Sequence, residues 1–247
     1  MMAYAAIRSP SDDAQYVAVA SRAKPPHMRA LAPRISAAAR GVEIAVLLCT
    51  AAAASLLASA STVYAAPTRT VNHDIGMYGD PVAAAHYWRQ QHSPDCGEMA
   101  VADVVGQITG DEPTEQRITE LAEGTPSAAR PGPIFNLAAG TDIRDLPVLL
   151  AHYQIKADNI QTDIDELKND LAERHRVIVI LNAETIWNRP GDRNAANHFV
   201  VVTGIDPSAG VVHLNDSGIT SGRDEQVPVA TFERAWAPNH NSAIVTR

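Results

Sequence analysis

The 247-residue sequence is short of positive charge, with 20 Lys and Arg against 28 Asp and Glu. Residues 1–65 hold six of the basic residues and three of the acids, so the excess of acids lies in the remainder, which has 14 basic and 25 acidic residues. The sequence shows no stripe of basic residues interleaved with aromatics. Such an acidic domain repels phosphate backbones, which argues against nucleic acid as a partner.

Paired metal-ligand spacings are also lacking. Three of the nine histidines, His92, His198 and His213, could gather near a cysteine, which raises the possibility of a zinc site. No pair of ligands stands at the spacing that zinc sites use, and zinc would consume the thiolate of that cysteine. We therefore expect no metal and no other cofactor.

The first third of the chain differs in composition from the rest. Residues 1–41 are rich in Ala, Pro and Ser, contain recurrent basic residues and are expected to be disordered. Residues 42–66 are apolar or small, with small residues near Ala65 where signal peptidase cuts. This order predicts an export signal cleaved after Ala65 or Ala66, and hence a secreted or cell-envelope protein. Residues 67–82 would then be an extended lead-in to a domain at 83–247.

An uncleaved membrane anchor is the alternative interpretation of residues 42–66. As a helix, this stretch is long enough to span about 30 Å of membrane. Its many alanines and serines make it weakly hydrophobic, which favours the cleaved signal. A membrane contact is therefore expected only through this N-terminal segment.

Cysteine is scarce, with only Cys49 and Cys96 in the whole chain. Cleavage of the signal would remove Cys49 and leave Cys96 unpaired in an oxidising compartment, where structural cysteines normally occur in pairs. Cys96 opens an apolar run that predicts a helix to Ile108, with Asp95 as N-cap and Gly110 after its end. A helix N-terminus favours negative charge, so Cys96 is a candidate nucleophile; the alternative is a buried structural thiol.

The rest of the domain is a series of helices followed by strands. Further helices are expected at 114–124, 141–153 and 163–174, followed by β-branched runs that predict strands at 176–182, 198–204 and 211–216. A short helix at 231–236 and a strand at 243–245 complete the pattern. Helices first and an antiparallel sheet afterwards indicate an α+β fold with one core, and we expect a monomer.

A histidine and a carboxylate occur at matching ends of two predicted strands. His198 opens one strand and Asp216 ends the next, and a turn at 206–210 joins the two strands as a hairpin. Residues near one end of paired strands come within side-chain reach, and the Cys96 helix could dock at that edge. The three residues would then be nucleophile, base and orienting group. Each has a structural alternative, because His198 could be satisfied by backbone and Asp216 could be a turn residue.

A glutamine just before the cysteine could complete the site. Its amide N–H, together with the backbone N–H of Cys96, could stabilise an oxyanion. Gln90 and Gln91 are the two candidates. His92 and His213 are alternative histidines, and His213 is expected to serve packing or to lie at the surface.

Residues 83–245 resemble the papain-like cysteine peptidases of family 39, the bacteriocin-processing (double-glycine leader) peptidases and their secreted relatives. The resemblance rests on a glutamine followed by five residues and Cys96-Gly97, on Asn197-His198-Phe199 with Gly204, and on Asn215-Asp216-Ser217. It implies a papain-like fold, with the helix that carries the nucleophile packed on the sheet. It also implies Gln90 in the oxyanion hole, Cys96 as nucleophile, His198 as base and Asp216 as orienting residue. Glu98 and Met99 depart from the family's small residues, and no transporter segments follow.

These observations predict an exported cysteine peptidase that acts on a peptide or protein substrate. Two alternatives share the same residues. One is a cell-wall peptide hydrolase or transpeptidase, and the other is an inactive papain-like domain that binds peptides without cleaving them.

Overall fold

The structure is a computed structural model that describes residues 76–247. The predicted disordered segment, the predicted signal or anchor, and most of the lead-in lie outside the described residues. Within residues 76–247, every helix is too short or too polar to cross a membrane.

The described chain contains seven α-helices and seven strands. The helices are α1 (Pro81–Ala84), α2 (Cys96–Thr109), α3 (Glu115–Gly124), α4 (Leu146–His152), α5 (Ile164–Ala172), α6 (Ala183–Ile186) and α7 (Val229–Trp236). The strands are β1 (Tyr78–Gly79), β2 (Ala157–Gln161), β3 (Val177–Leu181), β4 (His198–Asp206), β5 (Val211–Asn215), β6 (Glu225–Pro228) and β7 (Ser242–Thr246). Short 3₁₀ turns follow α1 and α7 and precede α4.

All strands belong to one antiparallel sheet. Six follow the order β2-β7-β3-β4-β5-β6, and β1 pairs with β4 outside this path. The β4–β5 register shifts between Val202 and Gly204, next to the point where β1 joins. The sheet and its helices confirm the predicted α+β fold class.

The sheet is covered on both faces. Side chains of α2 and α4, with Ile178, Phe199 and Val201 of the sheet, form one apolar cluster. Side chains of α5 and α7, with Val200 and Val202, form the other. Because successive strand residues point to opposite faces, the two clusters divide β4 by alternate positions.

Local signals set most of the helix ends. Gly110 ends α2 with φ +79°, a left-handed conformation that favours glycine. Thr114 caps α3 by accepting a hydrogen bond from Arg117 N, and Asp163 caps α5 in the same way. Pro147 lies in the first turn of α4, so the helix expected from residue 141 begins only at Leu146.

The sequence does not predict β2 and β6. Both are polar strands at the two ends of the sheet, with sequences ADNIQ and EQVP. They lack the apolar run that identifies a buried strand, and they form because β7 and β5 offer backbone groups to pair with.

Candidate active site

Cys96 is the first residue of α2 and is a free, half-buried thiol. The expected cap at Asp95 is right in position but wrong in detail, because its side chain makes no capping hydrogen bond. Asp95 Oδ2 instead accepts a hydrogen bond from Thr119 Oγ1 at 2.7 Å. No capping side chain of Asp95 therefore occupies the first-turn N–H groups of α2, which can face an anion at Cys96.

Close packing holds the start of α2 against β4. A Cβ built on Gly97 would lie 3.2 Å from Phe199 Cδ2 and 3.3 Å from Leu146 Cδ2. Phe199 directly follows His198, so this contact brings Cys96 and His198 to the same edge of the sheet.

Cys96, His198 and Asp216 lie together in the structure. His198 Nε2 is 2.7 Å from Asp216 Oδ1, and both side chains are buried. Cys96 is close enough to the imidazole to affect its pKa both by charge and as a hydrogen-bond partner. Because Asp216 engages Nε2, Nδ1 is the ring nitrogen left to face the sulfur.

The charges of this group support one another. Burial alone would lower the pKa of His198, but the charge and hydrogen bond of Asp216, together with Cys96, raise it well above its usual value. Burial would raise the pKa of Asp216, but His198, Trp187 and the backbone N–H of Gly218 hold it below its usual value. The arrangement therefore favours an imidazolium beside a carboxylate, with the cysteine on the other side of the ring.

Two tryptophans hold Asp216 in place, a role that the sequence indicated for neither. Trp187 Nε1 donates to Asp216 Oδ2 at 2.8 Å, and Trp88 Nε1 donates to the backbone oxygen of Asp216 at 2.6 Å. The ring of Trp187 also lies 4.9 Å from that of His198, centroid to centroid. The sequence could suggest that a buried tryptophan needs an acceptor for its N–H, but it could not identify that acceptor.

Gly218 was also missed. Its N–H donates to Asp216 Oδ1 at 2.7 Å. A Cβ at this position would lie 2.9 Å from both His198 Cε1 and Trp187 Cζ2. The absence of a side chain thus lets the turn after Asp216 close on the imidazole.

The two candidate glutamines have different surroundings. Gln91 is held at both ends of its amide: Oε1 accepts from Ser217 Oγ at 2.7 Å, and Nε2 donates to Ser93 O at 2.8 Å. Gln90 is half-buried and makes no side-chain hydrogen bond to another residue within 76–247. The choice of Gln90 for the oxyanion hole stays a prediction, and so do the roles of Cys96, His198 and Asp216.

The alternative histidines pair with other carboxylates. His92 is exposed and lies 2.7 Å from Glu115 Oε2, whereas His213 is buried and lies 2.7 Å from Asp224 Oδ1. In the described part of the chain, no three or more His, Cys, Asp or Glu side chains are grouped so that they could hold a metal ion.

Two open cavities adjoin the segment that leads to Cys96. One, of about 560 Å³, is lined by Gln90, Met99 and residues around α1 and α3. The other, of about 410 Å³, is lined by acidic residues that include Asp95 and Glu115. Both offer room for groups of a bound molecule beside the start of α2.

Known proteins resemble this chain in sequence and in fold. The sequence profile of the Peptidase_C39 like family matches residues 82–244. The uncharacterized proteins Mb1299c of Mycobacterium bovis and Rv1268c of Mycobacterium tuberculosis are each 45% identical over 195 residues, an alignment that covers 69% of this chain and 84% of each relative. The crystal structure of a C39-like peptidase from Bacillus anthracis has the same fold, with a TM-score of 0.54, 20% identity, and coverage of 70% of this chain and 98% of that chain. This family and fold indicate cysteine peptidase activity, and they confirm the resemblance seen in the sequence. The chain belongs to the Peptidase_C39 like family.

Proposed function

We propose that the chain is an exported cysteine peptidase that hydrolyses a peptide bond through Cys96, His198 and Asp216. The observation that carries this proposal is that His198 lies 2.7 Å from Asp216 Oδ1 and that Cys96 is close enough to act on the same imidazole. A nucleophile, a base and an orienting group in contact are the parts that acyl transfer requires.

In the proposed reaction, the Cys96 thiolate attacks the carbonyl carbon of the scissile bond. The first-turn N–H groups of α2 and the amide of Gln90 stabilise the oxyanion. The amide C–N bond then breaks as the His198 imidazolium gives its proton to the leaving amine, and a thioester is left on Cys96. Water attacks the thioester while His198 takes its proton; the C–S bond then breaks, which releases the carboxylic acid and restores the Cys96 thiolate beside the His198 imidazolium.

Labelling and turnover test this proposal together. A small electrophile should modify the purified protein at Cys96, and a library of linear peptides should be cleaved by the wild type but not by Cys96→Ala. His92→Ala, which changes a nearby exposed histidine, is the matched control and should keep activity. Labelling without cleavage of linear peptides, together with cleavage of peptidoglycan stem peptides, would favour the cell-wall alternative. If the protein is not labelled and cleaves neither kind of peptide, an inactive binding domain is favoured.

Export is proposed from the order of basic, apolar and small residues before residue 67. N-terminal sequencing of the secreted protein should find Ala66 or Pro67 as the first residue. Recovery only in membranes, with residues 42–66 intact, would replace the cleaved signal by an anchor.

A further inference from the structure

Glu225 lies directly beside Asp216. It begins β6 opposite Leu214 of β5, so these two side chains share one face of the sheet. Asp216 follows two residues after Leu214, just beyond the end of β5. Asp216 is close enough to the Glu225 carboxyl to act on it both by charge and as a side-chain hydrogen-bond partner. Oε2 of Glu225 is buried and has no hydrogen-bond donor among the described residues. Two ionised carboxylates only accept hydrogen bonds, so this contact requires one proton.

The contacts of Asp216 decide which residue carries that proton. Asp216 already accepts hydrogen bonds from His198 Nε2, Gly218 N and Trp187 Nε1, and these groups hold its pKa down. Among the described residues, no hydrogen-bond donor reaches the buried Oε2 of Glu225. Burial, and then the charge of Asp216, raise the pKa of Glu225 to about 7. The proton therefore belongs on Glu225.

We propose that Glu225 is a positioning residue of the active site, a neutral carboxylic acid that donates a hydrogen bond to Asp216 and holds that carboxylate toward His198. The hydrogen bond supplies a partner for the otherwise unpartnered Oε2. It also stabilises the Asp216 carboxylate without adding a second negative charge behind the imidazole. The catalytic consequence rests on the proposed peptidase function, whereas the protonation of Glu225 does not.

No other charged group within residues 76–247 is found to compete for Glu225. Asp216 and His198 are the ionisable groups that act on it. The packed helix α7 contributes Phe232, Ala235 and Trp236 to this face, and its Glu233 and Arg234 are exposed.

His213 and Asp224 pair with each other on the opposite face, where Asn215 contacts Asp103 of α2. Glu184, near Trp187, accepts hydrogen bonds from Asn182 and Asn197.

A carboxyl titration tests the protonation without any need for turnover. The Glu225 signal is followed by NMR in protein labelled with ¹³C at glutamate carboxyls, and it is assigned by its loss in Glu225→Gln. We expect a midpoint near pH 7. Asp216→Asn should lower this midpoint, because it removes the charge that opposes ionisation, whereas the exposed control Glu233→Gln should not. A midpoint near the ordinary value of 4.5, or one that Asp216→Asn leaves in place, overturns the proposal.

Activity of two variants tests the positioning role. At about pH 6, Glu225→Ala should lower kcat/KM about tenfold, the size expected for a lost hydrogen bond to a charged group. Glu225→Gln keeps an N–H donor and should lose clearly less. Equal losses in the two variants, with equal melting temperatures, overturn the positioning role. Absence of turnover in the wild type would count against the proposed function alone, and the titration would still decide where the proton lies.

Discussion

At the scale of single residues, the environment of His198 combines burial with two polar partners. Asp216 and Cys96 lie on either side of the imidazole, and together they raise the pKa of His198 well above its usual value. A raised pKa keeps the ring protonated at mildly acidic pH, where an isolated histidine is losing its proton. A positively charged ring beside Cys96 is the partner that nucleophilic cysteines use.

Alkylation rates should report this pairing. At about pH 6, iodoacetamide should modify Cys96 faster than it modifies a free cysteine, whose thiol ionises near pH 8.5. His198→Ala should slow the reaction, because the positive partner is gone. His92→Ala should leave the rate unchanged, because His92 pairs with Glu115 instead. An unchanged rate in His198→Ala would show that His198 is not the partner of Cys96.

Gln90 and Gln91 can be separated by comparing turnover with alkylation. Gln90→Ala should cost about 2.7–4 kcal/mol of transition-state stabilisation, the usual effect of losing an oxyanion donor. It should leave alkylation intact, because alkylation by a halide develops no carbonyl oxyanion. Gln91 bonds Ser217 and Ser93 through its amide, so Gln91→Ala should mainly affect stability. If Gln91→Ala, and not Gln90→Ala, lost turnover while alkylation stayed intact, the oxyanion role would belong to Gln91.

Trp187 should matter through its N–H as well as its ring. Trp187→Phe keeps an aromatic ring beside His198 but removes the 2.8 Å hydrogen bond to Asp216 Oδ2. A hydrogen bond to a charged group contributes about 1.5–3 kcal/mol, so kcat/KM should fall about tenfold or more. The pKa of His198, measured by NMR, should also change, because the carboxylate that faces it is less well held. Unchanged kcat/KM and pKa would mean that the hydrogen bond is dispensable.

At the scale of elements, α2 is placed by glycines where other elements approach it closely. Gly97 faces Phe199 and Leu146 near the nucleophile. At Gly106, a Cβ would lie 2.5 Å from Tyr87 Cδ1 and 2.9 Å from Glu112 Cβ. These contacts fix the position of α2. Because Cys96 is the first residue of this helix, its position is fixed with it.

Gly106→Ala should therefore destabilise the protein, although alanine is the better helix former. The helical preference of alanine is worth about 1 kcal/mol, but overpacking costs about 1–3 kcal/mol and should outweigh it. Gly124→Ala in α3 is the matched control, because nothing lies within 4 Å of its Cβ position. In urea unfolding, the free energy of unfolding should fall in Gly106→Ala and should change little or rise in Gly124→Ala. A gain in both would mean that Tyr87 moves aside without cost.

At the scale of the whole molecule, an acidic chain buries several carboxyl groups. Glu98 and Asp103 are almost completely buried, and Glu112 is partly so. Burial is the largest cause that raises the pKa of each of these three to about 7. Glu98 receives a hydrogen bond from Thr141 on one oxygen, while Oε2 has no partner among the described residues.

Stability should consequently fall as pH rises from about 4.5 to about 7. In that window the folded state keeps protons that the unfolded state releases, so the free energy of unfolding decreases with pH. His198 adds to this trend at higher pH, because its raised pKa stabilises the fold only while the ring is protonated. Asp216 acts in the opposite sense, since its lowered pKa removes stability as pH falls below its ordinary value of 3.8. Maximum stability is expected at mildly acidic pH.

Glu98→Gln tests this pH dependence directly. It keeps the acceptor for Thr141 and removes the ionisation, so the free energy of unfolding should rise at about pH 8 and its slope between about pH 4.5 and 7 should flatten. The exposed Glu123→Gln should change neither. A slope identical to the wild type in Glu98→Gln would show that Glu98 is not among the responsible groups.

The sequence by itself determined the parts of this protein that depend on local preferences. The cap at Thr114, the glycine after α2 and the β-branched run of β3 act within a few residues, so their elements could be predicted with nearly correct ends. The motifs around Cys96, His198 and Asp216 carried the resemblance that indicated the family, and the order of helices and strands indicated the fold class.

Only the tertiary structure decided the contacts between distant segments. Polar β2 and β6 become strands because neighbouring strands offer backbone partners, and no local signal marks them. The side chain of Asp95 accepts a hydrogen bond from Thr119, 24 residues away, instead of capping α2. Trp187 likewise donates a hydrogen bond to Asp216, 29 residues away. Glu225 meets Asp216 through the pairing of β5 with β6. A buried polar group forms hydrogen bonds with the groups that the fold brings near it, and the local sequence does not specify which groups these are.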